Sequence, residues 1–319
     1  MSEQAWRSSF HGGHSWPFCD HASESLESIL DSAAAQGMKV FGVTEHAPRL
    51  GERFLYPDER EWGWSVATLE EKFDAYFEAL DTLIPQYAGD LEVLRGFEIE
   101  VVPASEWVSI MKEYRDRYKA EYIVGSVHYV DNLSIDSFMP DFEAALEHFG
   151  GLEPLACAYY ERVAEMVYEI QPEIVGHLDL IRKFGHKYGD VDTPAIQSAA
   201  ITALQEIKLR GGILDVNTAG YRKGLGHPYP APWIVREAAA MAIPFAFGDD
   251  SHNASEVNAG IDDARAYLLK QGVQNVTLLR RNPEGGPLVR QVESITLSPL
   301  EKDQQAWKQA RNKTTPSSK

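Results

Sequence analysis

Histidines recur along the first 252 residues in short clusters that also carry carboxylates. Imidazole and carboxylate groups brought together would repel each other or stay unpaired unless a cation joined them, and this donor set suits zinc, manganese or iron. The candidate metal ligands are His11, His14, His21, His46, Glu98, His128, His177, Asp250 and His252. Nine ligands exceed what one tetrahedral ion uses, so the pattern predicts two or three divalent ions joined by a bridging carboxylate.

The alternative interpretation is a histidine-rich surface without metal, because a single histidine is more often a surface or core residue than a ligand. Of the ten histidines, only His148, His186 and His227 lie away from a predicted strand end or the first loop. Random placement would scatter them more widely. Glu98 could be a solvated charge at a strand end, but the apolar pair Val101 and Val102 predicts buried surroundings and favours a bridging ligand.

Charged residues beside the candidate ligands each allow two interpretations. Glu45 and Asp179 flank ligands, and we expect each to orient an imidazole through a hydrogen bond. Asp249 is either part of the site or a helix N-cap. The basic residues are either ordinary surface charges or the binding groups for an anionic substrate, since guanidinium matches phosphate bidentately. They are Arg182, Lys183, Arg222 and Lys223.

Short apolar strands alternate with amphipathic helices along the chain, and nearly every candidate ligand follows one of these strands. This alternation predicts an α/β fold with a parallel sheet. Seven strands in sequence favour a single-domain, distorted (β/α)7 TIM-like barrel over a doubly wound sheet, and in a barrel the strand ends converge on one face. The first helix is expected to be capped by Ser23. The predicted strands span 8–11, 40–44, 91–97, 122–127, 174–176, 213–216 and 244–247.

Composition limits the class of protein and its partners. With 44% hydrophobic and 24% charged residues, the chain can form one large core, which we place at 1–300, followed by a polar and presumed disordered tail at 301–319. No membrane span, signal peptide or cysteine pairing pattern is visible, which predicts a cytoplasmic protein. The net charge of −18 disfavours a nucleic acid polymer as partner but permits a small phosphorylated substrate, and it leaves the oligomeric state open.

Taken together, these motifs resemble the polymerase and histidinol phosphatase (PHP) family, and within it the histidinol phosphatases. The resemblance covers residues 11 to about 252. Its carriers are the segments His11-Gly-Gly-His-Ser with Cys19-Asp-His, Thr44-Glu-His-Ala-Pro-Arg, Gly96-Phe-Glu, Gly125-Ser-Val-His, Gly176-His-Leu-Asp-Leu-Ile-Arg, Asn217-Thr-Ala-Gly-Tyr-Arg-Lys and Asp250-Ser-His. The family usually begins with H-x-H, whereas this chain has H-x-x-H, which puts the occupancy of one metal in question.

The resemblance implies a trinuclear site and a role for each ligand. One ion is held by His11, His14, Glu98 and Asp250, and a second by His21, His46 and His252. Glu98 bridges to a third ion, held also by His128 and His177. Glu98, Asp250 and His252 are the expected catalytic residues, a bridging hydroxide attacks phosphorus, Arg182 and Arg222 grip the phosphate, and Asp179 or Glu45 meets the substrate amine.

The expected function is hydrolysis of L-histidinol phosphate in histidine biosynthesis. A PHP phosphoesterase acting on nucleotides or other small phosphate esters is the alternative enzyme, and a metal-binding module without catalysis is the alternative from another class. No nucleotide-binding glycine loop or G-x-S-x-G elbow occurs, which favours a water nucleophile. The segment from Arg49 to Trp64 is long enough to form a lid over the site.

Overall fold

The computed structural model describes residues 4–296 and contains a parallel sheet of seven strands. The strands are β1 (Ser8–Ser9), β2 (Val40–His46), β3 (Glu92–Glu98), β4 (Tyr122–Gly125), β7 (Ile174–Val175), β8 (Ile213–Asn217) and β9 (Phe245–Gly248). Their order in the sheet follows the chain without a reversal, whereas a doubly wound sheet reverses its order at a switch point. The predicted barrel is therefore confirmed. The tail predicted at 301–319 lies outside the described residues.

The first and last strands approach each other and nearly close the barrel. The backbone N–H of Phe10 donates to the carbonyl of Phe247 at 2.9 Å. Tyr122 helps to fill the interior, because its hydroxyl donates to the carbonyl of Phe10 at 3.0 Å. Gly42 and Gly96 make room for this ring: a Cβ atom on either would lie less than 3 Å from it. The short strands therefore surround a packed core, as in other β/α barrels.

Helices cover the outside of the barrel and turn their apolar faces towards the strands. The long helix Leu152–Ile170, for example, buries Leu155, Val163 and Val167 at the 3.6-residue period of an amphipathic helix. The helices are α1 (Leu26–Ala35), α2 (Pro57–Glu61), α3 (Val66–Leu83), α4 (Trp107–Tyr118), α5 (Met139–Phe149), α6 (Leu152–Ile170), α7 (Arg182–Gly185), α8 (Pro194–Arg210), α9 (Ala219–Arg222), α10 (Pro232–Ala240) and α11 (Ile261–Lys270).

Two antiparallel hairpins lie outside the barrel sheet. The first joins β5 (Tyr129–Val130) to β6 (Leu133–Ser134) directly after β4, and the second joins β10 (Asn275–Arg280) to β11 (Val289–Ser294) after the last helix. Among the described residues, no helix has the length and apolar character needed to cross a membrane.

Candidate metal centre

The carboxyl ends of the parallel strands bring the predicted ligands to one face of the barrel. His46 and Glu98 are the last residues of β2 and β3 and are register partners. Glu98 lies at the centre of the cluster. Its Oε1 is 3.0 Å from His11 Nε2 and 3.2 Å from His177 Nε2, and its Oε2 is 3.1 Å from His46 Nδ1. The convergence expected from the strand pattern is therefore present in the structure.

The unusual H-x-x-H spacing is accommodated by a turn at Gly12 and Gly13, whose φ angles are +148° and +77°. A Cβ atom on Gly12 would lie 2.4 Å from Asp249 Oδ1, so a larger residue would not fit. Both flanking histidines consequently point inwards. His14 Nε2 lies 3.8 Å from Glu98 Oε2 and 3.7 Å from Asp250 Oδ1.

Several of the clustered atoms are buried and, although they lie close to one another, form no hydrogen bond of acceptable geometry among the described residues. They are His11 Nε2, His14 Nε2, His46 Nδ1, His252 Nε2 and Glu98 Oε1. A buried polar atom without a partner is unfavourable, and a cation would satisfy these donor atoms together. The sets His11, His14, Glu98 and His11, His177, Asp250 each place their ligand atoms within 4.8 Å of one another. The residues present therefore fit divalent transition metal ions.

The carboxylates and imidazoles of the cluster shift one another's pKa values. Burial alone would raise the pKa of Glu98, but the surrounding imidazoles of His11, His128 and His46 hold it well below its usual range. For His14, burial and then the charge of His46 lower the pKa well below the ordinary value. Burial would also lower the pKa values of His11, His46 and His128, but neighbouring carboxylates, Glu98 among them, raise these pKa values above the ordinary value. Glu98 and His14 are thus in the forms that bind metal, whereas the other three imidazoles would release a proton on binding an ion.

A second row of carboxylates lies behind the histidines. The Nδ1 atoms of His11, His14 and His128 lie at hydrogen-bond distance from Asp215 Oδ2 (2.8 Å), Glu45 Oε1 (3.2 Å) and Glu100 Oε2 (3.2 Å), respectively. Such partners hold the ring orientation and leave Nε2 free to face the cluster.

Of the three carboxylates, Glu45 was expected in this position, whereas Asp215 and Glu100 were missed. A signal for Glu100 was available, because it lies two residues after Glu98 and side chains two apart in an extended chain share a face.

His21 lies at the rim of the cluster rather than inside it. Its side chain is 44% exposed and its Nδ1 pairs with Asp20 Oδ1 at 2.7 Å. The His21 ring is 4.6 Å from that of His252 and 5.5 Å from that of His46. The ligand atoms of His46 and His252 instead group within 4.8 Å of one another with those of His14 and Cys19, a buried thiol that the ligand prediction did not include.

The cluster opens into a cavity of about 490 Å³ that carries basic side chains on its wall. Arg222, Lys183 and Lys223 line it. Arg222 donates to the backbone carbonyls of Asp249 and Asp250, each at 2.8 Å, which fixes its guanidinium beside the ligand Asp250. Burial and the nearby charge of Lys183 lower the pKa of Lys223.

Arg182 and Asp179 differ from their expected roles, because the structure pairs them with each other behind the cavity wall. Arg182 is only 6% exposed, its Nε donates to Asp179 Oδ2 at 2.6 Å, and its other nitrogens bind Asp192. Asp179 Oδ2 also accepts the backbone N–H of Ala231 at 2.9 Å. Their charges therefore compensate each other behind the wall, and the side chain that reaches the cavity is that of Lys183, the next residue.

The barrel and its histidine–carboxylate cluster define the class of protein: an α/β barrel with a site suited to divalent metal ions. The chain belongs to the PHP domain family, since the sequence model of that family matches residues 12–219. The match does not include the predicted ligands His11, Asp250 and His252.

Relatives of known name cover most of the chain. A protein of Schizosaccharomyces pombe is 31% identical over 89% of this chain and 92% of its own length. The histidinol-phosphatase of Saccharomyces cerevisiae is 27% identical over 81% of this chain and 87% of its own. A solved histidinol phosphate phosphatase from Lactococcus lactis, in complex with zinc, L-histidinol and phosphate, shares the fold with a TM-score of 0.65 at 18% identity, covering 85% and 96% of the two chains.

Proposed function

We propose that this chain is a cytoplasmic histidinol phosphatase, which hydrolyses L-histidinol phosphate to L-histidinol and phosphate in histidine biosynthesis. The observation that carries the proposal is a buried cluster of histidines around Glu98 that opens into a cavity with three basic side chains. The relatives named as histidinol-phosphatases support the substrate.

The basic side of the cavity is suited to hold the phosphate. Arg222 and Lys223 present charged N–H groups there, and Lys183 is steadied by donating to the carbonyl of Asp136 at 2.5 Å. Hydrogen bonds between cationic donors and phosphate oxygens are among the strong ones in proteins. Arg222 thus takes the phosphate-binding role in this proposal, together with the two lysines and without Arg182.

The metal centre is proposed to contain two or three ions of zinc, manganese or iron, held by His11, His14, His21, His46, Glu98, His128, His177, Asp250 and His252. Such ions neutralise charge on the phosphate oxygens and lower the pKa of water near the phosphorus. Glu98 is placed to bridge, because its two oxygens face different histidines.

Asp250 and His252 complete the proposed catalytic group at the cavity wall. Burial would raise the pKa of Asp250, but the imidazoles of His11 and His252 hold it well below its usual range. Asp250 is therefore ionised, as its proposed role in holding a metal ion requires, while Asn217 Nδ2 donates to its Oδ2 at 3.3 Å and fixes the carboxylate. His252 Nδ1 lies 3.0 Å from the carbonyl of Asp250, which leaves Nε2 directed to the cluster.

Asp136 is the carboxylate that we propose to meet the substrate amine. It lines the cavity, its Oδ2 forms an ion pair with Lys183 at 3.4 Å, and its Oδ1 is buried without a hydrogen-bond partner among the described residues. The earlier candidates are both engaged elsewhere, since Glu45 pairs with His14 and Asp179 with Arg182. The aromatic ring of Phe138, 42% exposed, lies on the same wall.

Phosphate release from L-histidinol phosphate by the metal-loaded protein tests the proposal. p-Nitrophenyl phosphate and a nucleoside bisphosphate serve as competing substrates, with a chelated sample and His128→Ala as controls. We expect a chelator-sensitive preference for histidinol phosphate and a large loss in His128→Ala. Chelator-sensitive turnover of another ester alone would overturn the substrate, and no turnover at full metal content would overturn the catalytic function.

A further inference from the structure

The segment after β2 forms part of the cavity wall and is organised around one buried arginine. Arg49, three residues after the cluster histidine His46, is 3% exposed. Its Nε donates to the carbonyl of Phe54 at 3.0 Å, and its guanidinium carbon lies 3.8 Å from the centre of the Tyr56 ring. The Arg49 side chain thus contacts the segment at both Phe54 and Tyr56.

Glu59 completes this arrangement from helix α2. It is 2% exposed, forms an ion pair with Arg49 and accepts the backbone N–H of Tyr56 through Oε2 at 2.6 Å. A buried ion pair adds little net stability because both charges lose water, but an alternative conformation would leave one charge buried and unpaired. The pair therefore fixes where the segment lies, and in particular it fixes Tyr56.

Tyr56 and Asp58 line the same cavity as the metal cluster. The Tyr56 ring centre is 6.3 Å from that of His21, which places an aromatic side chain at the rim of the cluster. Its surroundings differ from the phosphate-binding part of the wall, which carries Arg222 and the two lysines. An aromatic ring next to a carboxylate is suited to a planar, nitrogen-containing ring rather than to a phosphate.

We propose that Tyr56 contacts the ring of the leaving group and sets a preference for ring-bearing phosphate monoesters, and that Arg49 is the positioning residue that holds Tyr56 in place. The proposal deepens the phosphatase function argued above and rests on it. Neither residue is required for holding phosphate or metal, so their loss is expected to change selectivity rather than to abolish turnover.

The test compares three esters on metal-loaded protein: L-histidinol phosphate, phenyl phosphate, which has a ring without an amine, and ethanolamine phosphate, which has an amine without a ring. Tyr56→Leu should lower kcat/KM about tenfold for the two ring-bearing esters, mainly through KM, and leave ethanolamine phosphate near the wild-type value. Arg49→Lys should show the same pattern, because an ammonium cannot bind Phe54 and Glu59 while covering the ring. Arg53→Lys, at an exposed position of the same segment, is the matched control.

The proposal would be overturned if Tyr56→Leu lowered kcat/KM equally for all three esters, or for none of them. Tyr56 is only partly buried, so Tyr56→Leu gives the answer even if Arg49→Lys does not fold. Calorimetry can also compare the affinity of metal-loaded wild type and Tyr56→Leu for L-histidinol, which tests the same contact without turnover. The wild-type protein could fail to hydrolyse histidinol phosphate while Tyr56→Leu lowers kcat/KM for phenyl phosphate alone. In that case the substrate assignment fails and the role of Tyr56 stands.

Discussion

Glu98 lies within 4 Å of nitrogen atoms from five histidines: His11, His14, His46, His128 and His177. Glu98→Gln removes the one negative charge that these imidazoles share and replaces an oxygen by an amide that cannot bridge. We expect loss of bound metal and a fall in kcat of at least about 100-fold, the upper range for disturbing even the outer partners of a metal site. Metal analysis with steady-state kinetics measures both, and Glu61→Gln, at an exposed position of helix α2, is the control.

Full metal content and normal kcat in Glu98→Gln would show that Glu98 is not a ligand. The comparison is informative because Glu61 undergoes the same change of carboxylate to amide at an exposed position of helix α2, outside the cavity lining.

Arg222 and Arg182 are both basic residues near the site, yet the structure predicts opposite consequences for their removal. Arg222→Gln should weaken phosphate binding and raise KM about 10- to 100-fold, the range for a charge-assisted hydrogen bond. The unfolding midpoint should change little. Arg182→Gln leaves Asp179 buried without its partner and should lower the free energy of unfolding by about 3 kcal/mol, with smaller kinetic effects.

Kinetics and urea unfolding of the two variants separate these outcomes. A stable Arg182→Gln protein with a selectively raised KM would show that Arg182 reaches the phosphate after all, as the family resemblance first implied.

At the scale of elements, the turn at Gly12 follows β1 and separates His11 from His14. The H-x-x-H spacing did not show whether this turn lets both histidines reach the metal centre. Gly12→Ala would place a methyl group 2.4 Å from Asp249 Oδ1 and force His11 or the Asp249 loop to move. We expect a loss of about 1–3 kcal/mol in unfolding free energy together with reduced metal content. Gly63→Ala is the matched control, since that residue also has a positive φ, +73°, but its Cβ would meet nothing within 4 Å among the described residues.

The control should lose only about 1 kcal/mol, the backbone contribution of a left-handed residue, and keep its metal. Equal behaviour of the two alanine variants would mean that the close approach of Gly12 to Asp249 is unimportant.

Element boundaries illustrate a limit of sequence patterns. Ser23 was expected to cap the first helix, but α1 begins at Leu26 and the Ser25 side chain accepts the backbone N–H of Ser28 at 3.2 Å, so the prediction was wrong. Both serines are suitable caps by type. A tertiary contact decides between them. The backbone N–H of Ser23 donates to the carbonyl of His252 at 3.2 Å, which holds Ser23 beside that residue rather than at the start of the helix.

At the scale of the whole molecule, the metal centre is expected to contribute to stability because its ligands come from strands along the entire barrel. An ion that binds only the folded state at 100 times its Kd stabilises it by about 2.7 kcal/mol. Chelation should therefore lower the thermal midpoint by about 4 °C for each ion of that affinity, and zinc or manganese added back should restore it. Differential scanning calorimetry with and without chelator measures this, and an unchanged midpoint despite complete metal loss would contradict the expected coupling.

The sequence by itself determined the barrel and most of the cluster. Seven strands in sequence, six of them followed by predicted ligands, are enough, because parallel strands in a barrel end on the same face whatever their loops do. For the same reason, Glu98, His128 and His177 could be assigned to one site although they are far apart in the chain.

Only the tertiary structure decided which charges face the cavity and which are used internally. Arg182 and Lys183 are adjacent in sequence and alike in charge, yet one pairs with Asp179 behind the wall while the other lines the cavity. Likewise Asp215 and Glu100 support histidines, a role that depends on partners from other strands. These outcomes follow from side-chain direction and distances of a few ångströms between distant segments, which a one-dimensional pattern of residue types does not contain.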